Sequence, residues 1–148
     1  MKRTAGADDE RPAWLGGMTL YPKPGSVSTA RSWFREFVAK SEPSCSLDDC
    51  VLMVSELVTN AITYGEAVPP CRVRVEWYRA GDSLRVEVHN PGRPDRVRLA
   101  RPGAGDVHGR GLFLVECLAD EWSAGCSVYG GTVVAFVLRG AWPVPSAC

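Results

Sequence analysis

The sequence predicts a single α+β domain in two layers, with a mixed, mainly antiparallel sheet covered on one face by about three helices. Three observations carry that prediction. The chain has 148 residues, about the size of one domain with one hydrophobic core. Its apolar residues switch between helical spacing and strict alternation several times along the chain. No internal repeat or second core interrupts the pattern, and one helical layer against one sheet is an economical way to bury such faces.

Residues 1–17 read as a flexible tail, polar and charged up to about Trp14. Met18-Thr19-Leu20-Tyr21 is a short strand candidate, stopped by Pro22 and Pro24. Ser26 or Ser28 is placed to cap a first helix carrying Val27, Ala30, Phe34, Phe37 and Val38 on one face, ended at Ser41-Glu42-Pro43. A second helix has the clearest start. Ser46-Leu47-Asp48-Asp49 resembles a capping box, and Leu47, Cys50, Val51, Val54, Leu57, Val58 and Ala61 form one stripe behind it. Gly65 suits the left-handed residue that closes such a helix.

Val73, Val75 and Trp77 alternate with Arg72, Arg74 and Glu76, and Leu84, Val86 and Val88 with Arg85, Glu87 and His89. Turn chemistry at Ala80-Gly81-Asp82-Ser83 joins the two as a hairpin. From Asn90 to Gly109 no apolar period is visible, and a long loop inside a compact domain tends to be functional. Gly111 to Asp120 reads as a short apolar helix. Two strands follow, Trp122 to Val128 and Thr132 to Leu138, around Tyr129-Gly130-Gly131. The last is apolar throughout, which suits a central or doubly covered strand. The domain thus spans 18–139, and 140–148 reads as an irregular tail.

Composition narrows the function. Seventeen basic residues balance seventeen acidic ones, so the footprint of a nucleic-acid binder is missing. No apolar run approaches the ~18 residues of a membrane helix, and Asp8, Asp9 and Glu10 fall where a signal peptide is apolar. A cytoplasmic protein without membrane contact is expected. The six cysteines include no Cys-x-x-Cys pair, and His89 and His108 lack metal-motif spacing, so reduced thiols are the reading.

Three features suit chemistry. Glu56 and Asn60 lie one helical turn apart at the edge of the apolar stripe. A carboxylate there can accept a proton and an amide oxygen can ligate a hard cation, although a solvated helix face has the same spacing. Asn90-Pro91-Gly92 ends a strand, where glycine permits close backbone approach, or forms a plain turn. Gly103 to Leu112 runs into a helix start whose N–H groups suit phosphate oxygens. Neither the dinucleotide fingerprint, with His108 at its last glycine, nor the P-loop, with Gly109-Arg110-Gly111, is satisfied.

Taken together these segments resemble the histidine-kinase-type (Bergerat, or GHKL) ATPase superfamily, and within it the anti-sigma regulatory factor serine kinases common in actinobacteria. Ser55 to Ala61 resembles its N box, with Glu56 as catalytic base or water-orienting group and Asn60 as the Mg²⁺ ligand. Val88 to Gly92 takes the place of the first glycine box, bringing Asn90 and Gly92 to the nucleotide. His108-Gly109-Arg110-Gly111-Leu112 resembles the second glycine box, which closes on the phosphates. Gly130-Gly131-Thr132 resembles the final box, whose Thr132 helps hold adenine. The family's first glycine box opens on an Asp that accepts a hydrogen bond from the adenine amine, and this chain has Asn90 there.

The resemblance implies ATP and Mg²⁺ as cofactors, a sigma factor and an anti-anti-sigma (STAS-domain) protein as partners, and a homodimer. The implied activity is sigma sequestration with phosphorylation of the anti-anti-sigma partner on serine. An ATP-dependent sigma-binding switch without phosphate transfer, and a domain that has lost nucleotide binding, remain alternatives.

Overall fold

The structure, a computed structural model, describes residues 11–64, 72–92 and 110–143. Its elements run β1 (Ala13–Leu20), α1 (Gly25–Ala39), α2 (Leu47–Tyr64), β2 (Val73–Ala80), β3 (Ser83–Asn90), α3 (Arg110–Leu118), β4 (Glu121–Cys126) and β5 (Thr132–Leu138). The five strands form one sheet in the order β1-β2-β3-β5-β4. The expected α+β sandwich is what forms. Every neighbouring pair of the described strands is antiparallel, so the sheet lacks the parallel pair a mixed one would have. No helix among the described residues is long and apolar enough to cross a membrane.

The core is the apolar side of the sheet under the helices. Val75, Val86, Val88 and Phe136 from the strands meet Phe34 and Val38 of α1, Met53, Val54 and Val58 of α2 and Val115 of α3, all fully buried or nearly so. Among the described residues Trp77 is the largest fully buried side chain, with Phe34 edge-on at 5.4 Å between centroids. Phe37, expected on the buried face of α1, stacks on Trp77 from the margin at 6.4 Å and stays 41% exposed. β1 starts at Ala13, five residues before the expected Met18, and its register shifts between Trp14 and Gly16. The shift sets Gly16 against the indole, where a Cβ would lie 2.7 Å from a ring carbon of Trp77. Hence glycine there.

Helix starts follow local chemistry in one case and not in the other. Ser46 Oγ accepts the Asp49 N–H at 3.3 Å, and Asp48 and Asp49 place negative charge in the first turn of α2. The capping box is thus half realised. Ser26, by contrast, lies inside α1 and is buried. Its hydroxyl donates to the Tyr21 carbonyl at 2.6 Å, and the residue at the cap position is Pro24. Tertiary burial has taken the serine that the sequence offers as a cap. Gly65, expected to close α2, lies outside the described residues.

Two regions are more ordered than their patterns suggest. Ala141 and Trp142 belong to no helix or strand, yet they are 0% and 3% exposed. On the sheet face away from the helices, Glu76, Glu87 and His89 do not simply meet water. Glu76 is 3% exposed and accepts bonds from Arg74 (2.6 Å), Tyr129 (2.7 Å) and Tyr78 (2.8 Å). Glu87 takes Arg85 at 2.9 Å on one oxygen and faces His89 Nε2 at 3.1 Å with the other. His89 Nδ1 meets Ser127 Oγ at 2.7 Å.

This network makes stability depend on acid. Burial works against the charge of Glu76, but the bonds from Tyr129, Arg74 and Tyr78 outweigh it and hold the carboxyl below its usual range. Glu87 is held low by His89 first and by Arg85, against a burial effect. A depressed carboxylate contributes stability above its unfolded pKa, about 4.3 for Glu, and that contribution is lost as pH falls through the folded pKa. The urea midpoint should therefore drop as pH is taken below about 4. Glu76→Gln should lie about 2 kcal/mol lower at neutral pH, with a flatter acid limb, in the same urea series.

Candidate functional site

Strand register assembles one end of the site. Leu20 pairs with Val73, Asn90 with Thr132, and Thr132 with Cys126, so these residues lie across one end of the sheet. Asn90 follows Leu84, Val86 and Val88 at even spacing, and Thr132 precedes Val134 and Phe136 in the same way. Both therefore sit on the helix-covered side. They are neighbours in space although 42 positions apart in the chain.

The helices are aimed at the same end. Ser44, just ahead of α2, donates its N–H to Ala141 O at 2.6 Å, and Trp142 N–H reaches Asp82 O at 3.1 Å. These bonds fix the start of α2 at the β2–β3 hairpin, the far end of the sheet. From there α2 packs against α1 and α3 and, of the strands, mainly on β3. Its 18 residues rise about 27 Å, the length of the eight-residue strand beneath. Asn60 therefore lies near the Asn90–Thr132 end and Glu56 one turn behind it. Both are half-buried, as the edge of an apolar stripe requires.

A connection of only Ala119 and Asp120 joins α3 to β4, and β4 opens opposite Val137 at the hairpin end. α3 thus runs back along the sheet, which directs Arg110–Leu112 towards Asn90 and Thr132. Leu112 is 4% exposed and packs into the core cluster. The Arg110 side chain, and the whole of His108 and Gly109, lie outside the described residues.

The turn after β3 is held from two sides. Asn90 Oδ1 accepts the Gly92 N–H at 2.7 Å, and the Thr132 hydroxyl donates to the Gly92 carbonyl at 2.5 Å. Thr132 is 1% exposed and Gly92 is buried. Gly131 closes the contact with φ +85°. A Cβ on it would stand 2.2 Å from the Asn90 carbonyl oxygen and 2.6 Å from Pro91 Cα. Two segments that read as separate weak motifs are therefore one packed unit, in which β3 and β5 meet backbone to backbone. Residues 20–138 match the model of the histidine kinase-like ATPase domain. The chain belongs to that family. No curated protein matches its sequence.

The family is one of ATP-binding domains, and the match runs from the last residue of β1 through every later described strand and helix. Of the residues singled out in the sequence, the ATPase fold brings Asn60, Asn90, Gly92, Thr132 and the start of α3 to one end of the sheet, with Glu56 one turn back. Gly131's contact with Asn90 and Pro91 was not foreseen, because only register reveals which segment a glycine meets. Its signal in the sequence is the Gly130-Gly131 pair ahead of an apolar strand. Ser55, beside Glu56, is also buried, at 8% exposure. Its carbonyl accepts the Thr59 hydroxyl at 2.7 Å.

Proposed function

We propose that this ATPase domain is an anti-sigma factor that binds ATP with Mg²⁺, sequesters a sigma factor and phosphorylates a serine of an anti-anti-sigma (STAS-domain) partner. The observation that supports it most is the meeting of the four family segments. A helix-borne carboxylate and carboxamide, a strand-end turn, a buried threonine and a helix start all belong to one end of one sheet. The donor set suits the cofactors. Asn60 offers a neutral hard oxygen of the kind Mg²⁺ prefers, and Glu56 a carboxylate beside it. Bound Mg²⁺ would neutralise phosphate charge.

Each residue then has a task. Glu56 would accept the proton of the attacking serine hydroxyl, as a base within reach of its substrate does. N–H groups around Gly109, Arg110 and Gly111 would donate to phosphate oxygens at the start of α3, where the helix dipole favours negative charge. His108 and Leu112 flank that segment. Asn90 and Thr132 would meet the base, with Gly92 allowing close approach. Positioning and charge neutralisation would supply most of the rate, as in phosphoryl transfer generally.

The test uses radiolabelled ATP with STAS-domain proteins of the same organism, comparing the parent with Glu56→Ala. Phosphoserine made by the parent and lost in the variant supports the kinase. Size measurement by light scattering should show the homodimer, and pull-down should recover a sigma factor.

One observation favours a second reading, an ATP-dependent sigma-binding switch without phosphate transfer. Asn90 replaces the acidic residue of the family pattern, and its oxygen already holds the Gly92 N–H. An amide lacks the charge assistance a carboxylate gives to an adenine amine. Asn90→Asp is therefore expected to tighten Mg-ATP roughly fivefold to tenfold, about 1 kcal/mol, by calorimetric titration. Bound ATP with no phosphoserine would select the switch, and no binding of Mg-ATP or Mg-GTP would select a domain that has lost the nucleotide.

A further inference from the structure

Cys45 and Cys50 stand on either side of the first turn of α2, at the end of the helix away from Asn60. Their sulfurs are 3.8 Å apart. Cys45, in the connection between α1 and α2, is half-buried, whereas Cys50 is 0% exposed in the core cluster. Both are free thiols, and neither has a task in nucleotide binding. We propose that they form a reversible thiol–disulfide pair, in which Cys45 is the thiol that meets an oxidant and Cys50 is the thiol that resolves it.

Geometry carries the case. A disulfide needs a sulfur separation of about 2.05 Å, so closure asks for about 1.8 Å of approach. Cys45 lies between Ser44, held by Ala141, and the Ser46 cap, so rotation of its side chain must supply that movement while Cys50 stays in the core. The accessible partner is on the loop and the hidden one on the helix, the arrangement that lets a peroxide reach one thiol only. Electrostatics divide the roles the same way. The bond between the sulfurs, in which Cys50 donates once Cys45 is a thiolate, brings the Cys45 thiol down to about 7 against partial burial. That same bond pushes Cys50 up, as do its burial and the charge of Asp49. Thiolate character is what makes a cysteine reactive, so it falls on the residue that an oxidant can reach.

The chemistry balances with a peroxide as oxidant. The Cys45 thiolate attacks one peroxide oxygen, the O–O bond breaks, and hydroxide leaves as water after taking a proton, giving a sulfenic acid. The Cys50 sulfur then attacks the Cys45 sulfur, the S–O bond breaks, and hydroxide leaves with the Cys50 proton as a second water. Two thiols have lost two electrons, and one peroxide has become two waters. A dithiol reductant reverses the bond by exchange at sulfur.

The test uses the full chain, reduced and then treated with hydrogen peroxide, with remaining thiols alkylated before digestion. Proteases cutting ahead of Asp48 and Asp49 and after Glu56 and Glu66 separate Cys45, Cys50 and Cys71, so a link between the first two is visible in the mass spectrum of the unreduced digest. The expected result is a Cys45–Cys50 linked peptide pair that disappears on reduction. In Cys50→Ser the Cys45 sulfenic acid should persist and be trapped by dimedone about tenfold more than in the parent, since its resolving partner is gone. Cys45→Ser should leave Cys50 alkylatable only after unfolding. Alkylation of Cys45 and Cys50 with no link in the oxidised parent would overturn the proposal, as would a link from Cys45 to any other cysteine.

Discussion

Replacing Gly131 with alanine is expected to lower the stability of the domain by about 3 kcal/mol and to remove its ATP binding. Two costs add. A left-handed backbone at φ +85° costs an L-residue about 1–2 kcal/mol. The new Cβ would also lie 2.2 Å from the Asn90 carbonyl oxygen and 2.7 Å from the Pro91 carbonyl carbon. Backbone atoms cannot swing aside like a side-chain tip, so the overlap adds about 1–3 kcal/mol. Relief requires the Asn90–Gly92 turn to move, which breaks the Thr132–Gly92 bond and misplaces both groups meant for the base. Denaturant midpoints and calorimetric titration with Mg-ATP check the two halves. Gly130→Ala is the control. Its φ is +87°, but nothing lies within 4 Å of an added Cβ, so it should lose only about 1–2 kcal/mol and still bind ATP. Equal losses in both variants would show that conformation alone, and not the close approach, makes Gly131 necessary.

Trp142→Ala is expected to cost about 3–5 kcal/mol, the range for removing a large aromatic from a core. The residue sits in a segment that reads as a tail, so the size of the effect distinguishes a packed terminus from a loose one. Its indole N–H donates to the Ser41 carbonyl at 2.7 Å, its backbone N–H to Asp82 at 3.1 Å, and Arg79 lies over the ring at 4.7 Å. Removal leaves the Ser41 carbonyl without that donor and opens the anchor that sets where α2 begins. A urea series should show the midpoint falling with little change in slope. Trp142→Phe should recover much of the loss, because it refills the volume while lacking only the N–H. A loss below about 1 kcal/mol, the size of an ordinary surface change, would show that the terminus is not part of the core.

Much of the site was legible before the fold. Glu56 and Asn60 share a helix, and a four-residue spacing suffices to put them on one side. The Ser46 cap and the apolar stripe behind it are local, so α2 was readable to its first residue. Asn90-Pro91-Gly92 and Gly130-Gly131-Thr132 looked like ordinary turns because each is defined by a partner far away in the chain. Register made them one object. The charged face of β2 and β3 is legible only in part for a similar reason: alternation says which side Glu76 faces, but not that Arg74, Tyr78 and Tyr129 cover it there.

By itself the sequence determined the class of fold, the placement of the regular elements within a few residues, and the family to which the segments belong. Those features rest on short-range periodicity and on residue types at fixed spacing. Tertiary structure alone decided that β5 lies between β3 and β4, that Ser26 is a core hydrogen-bond donor and no cap, and that Trp142 anchors the start of α2. The first and last depend on pairing between segments tens of residues apart, and the Ser26 bond, although it reaches back only to Tyr21, on burial of that turn. Hydrogen bonds and close packing choose such partners only once the whole sheet is assembled.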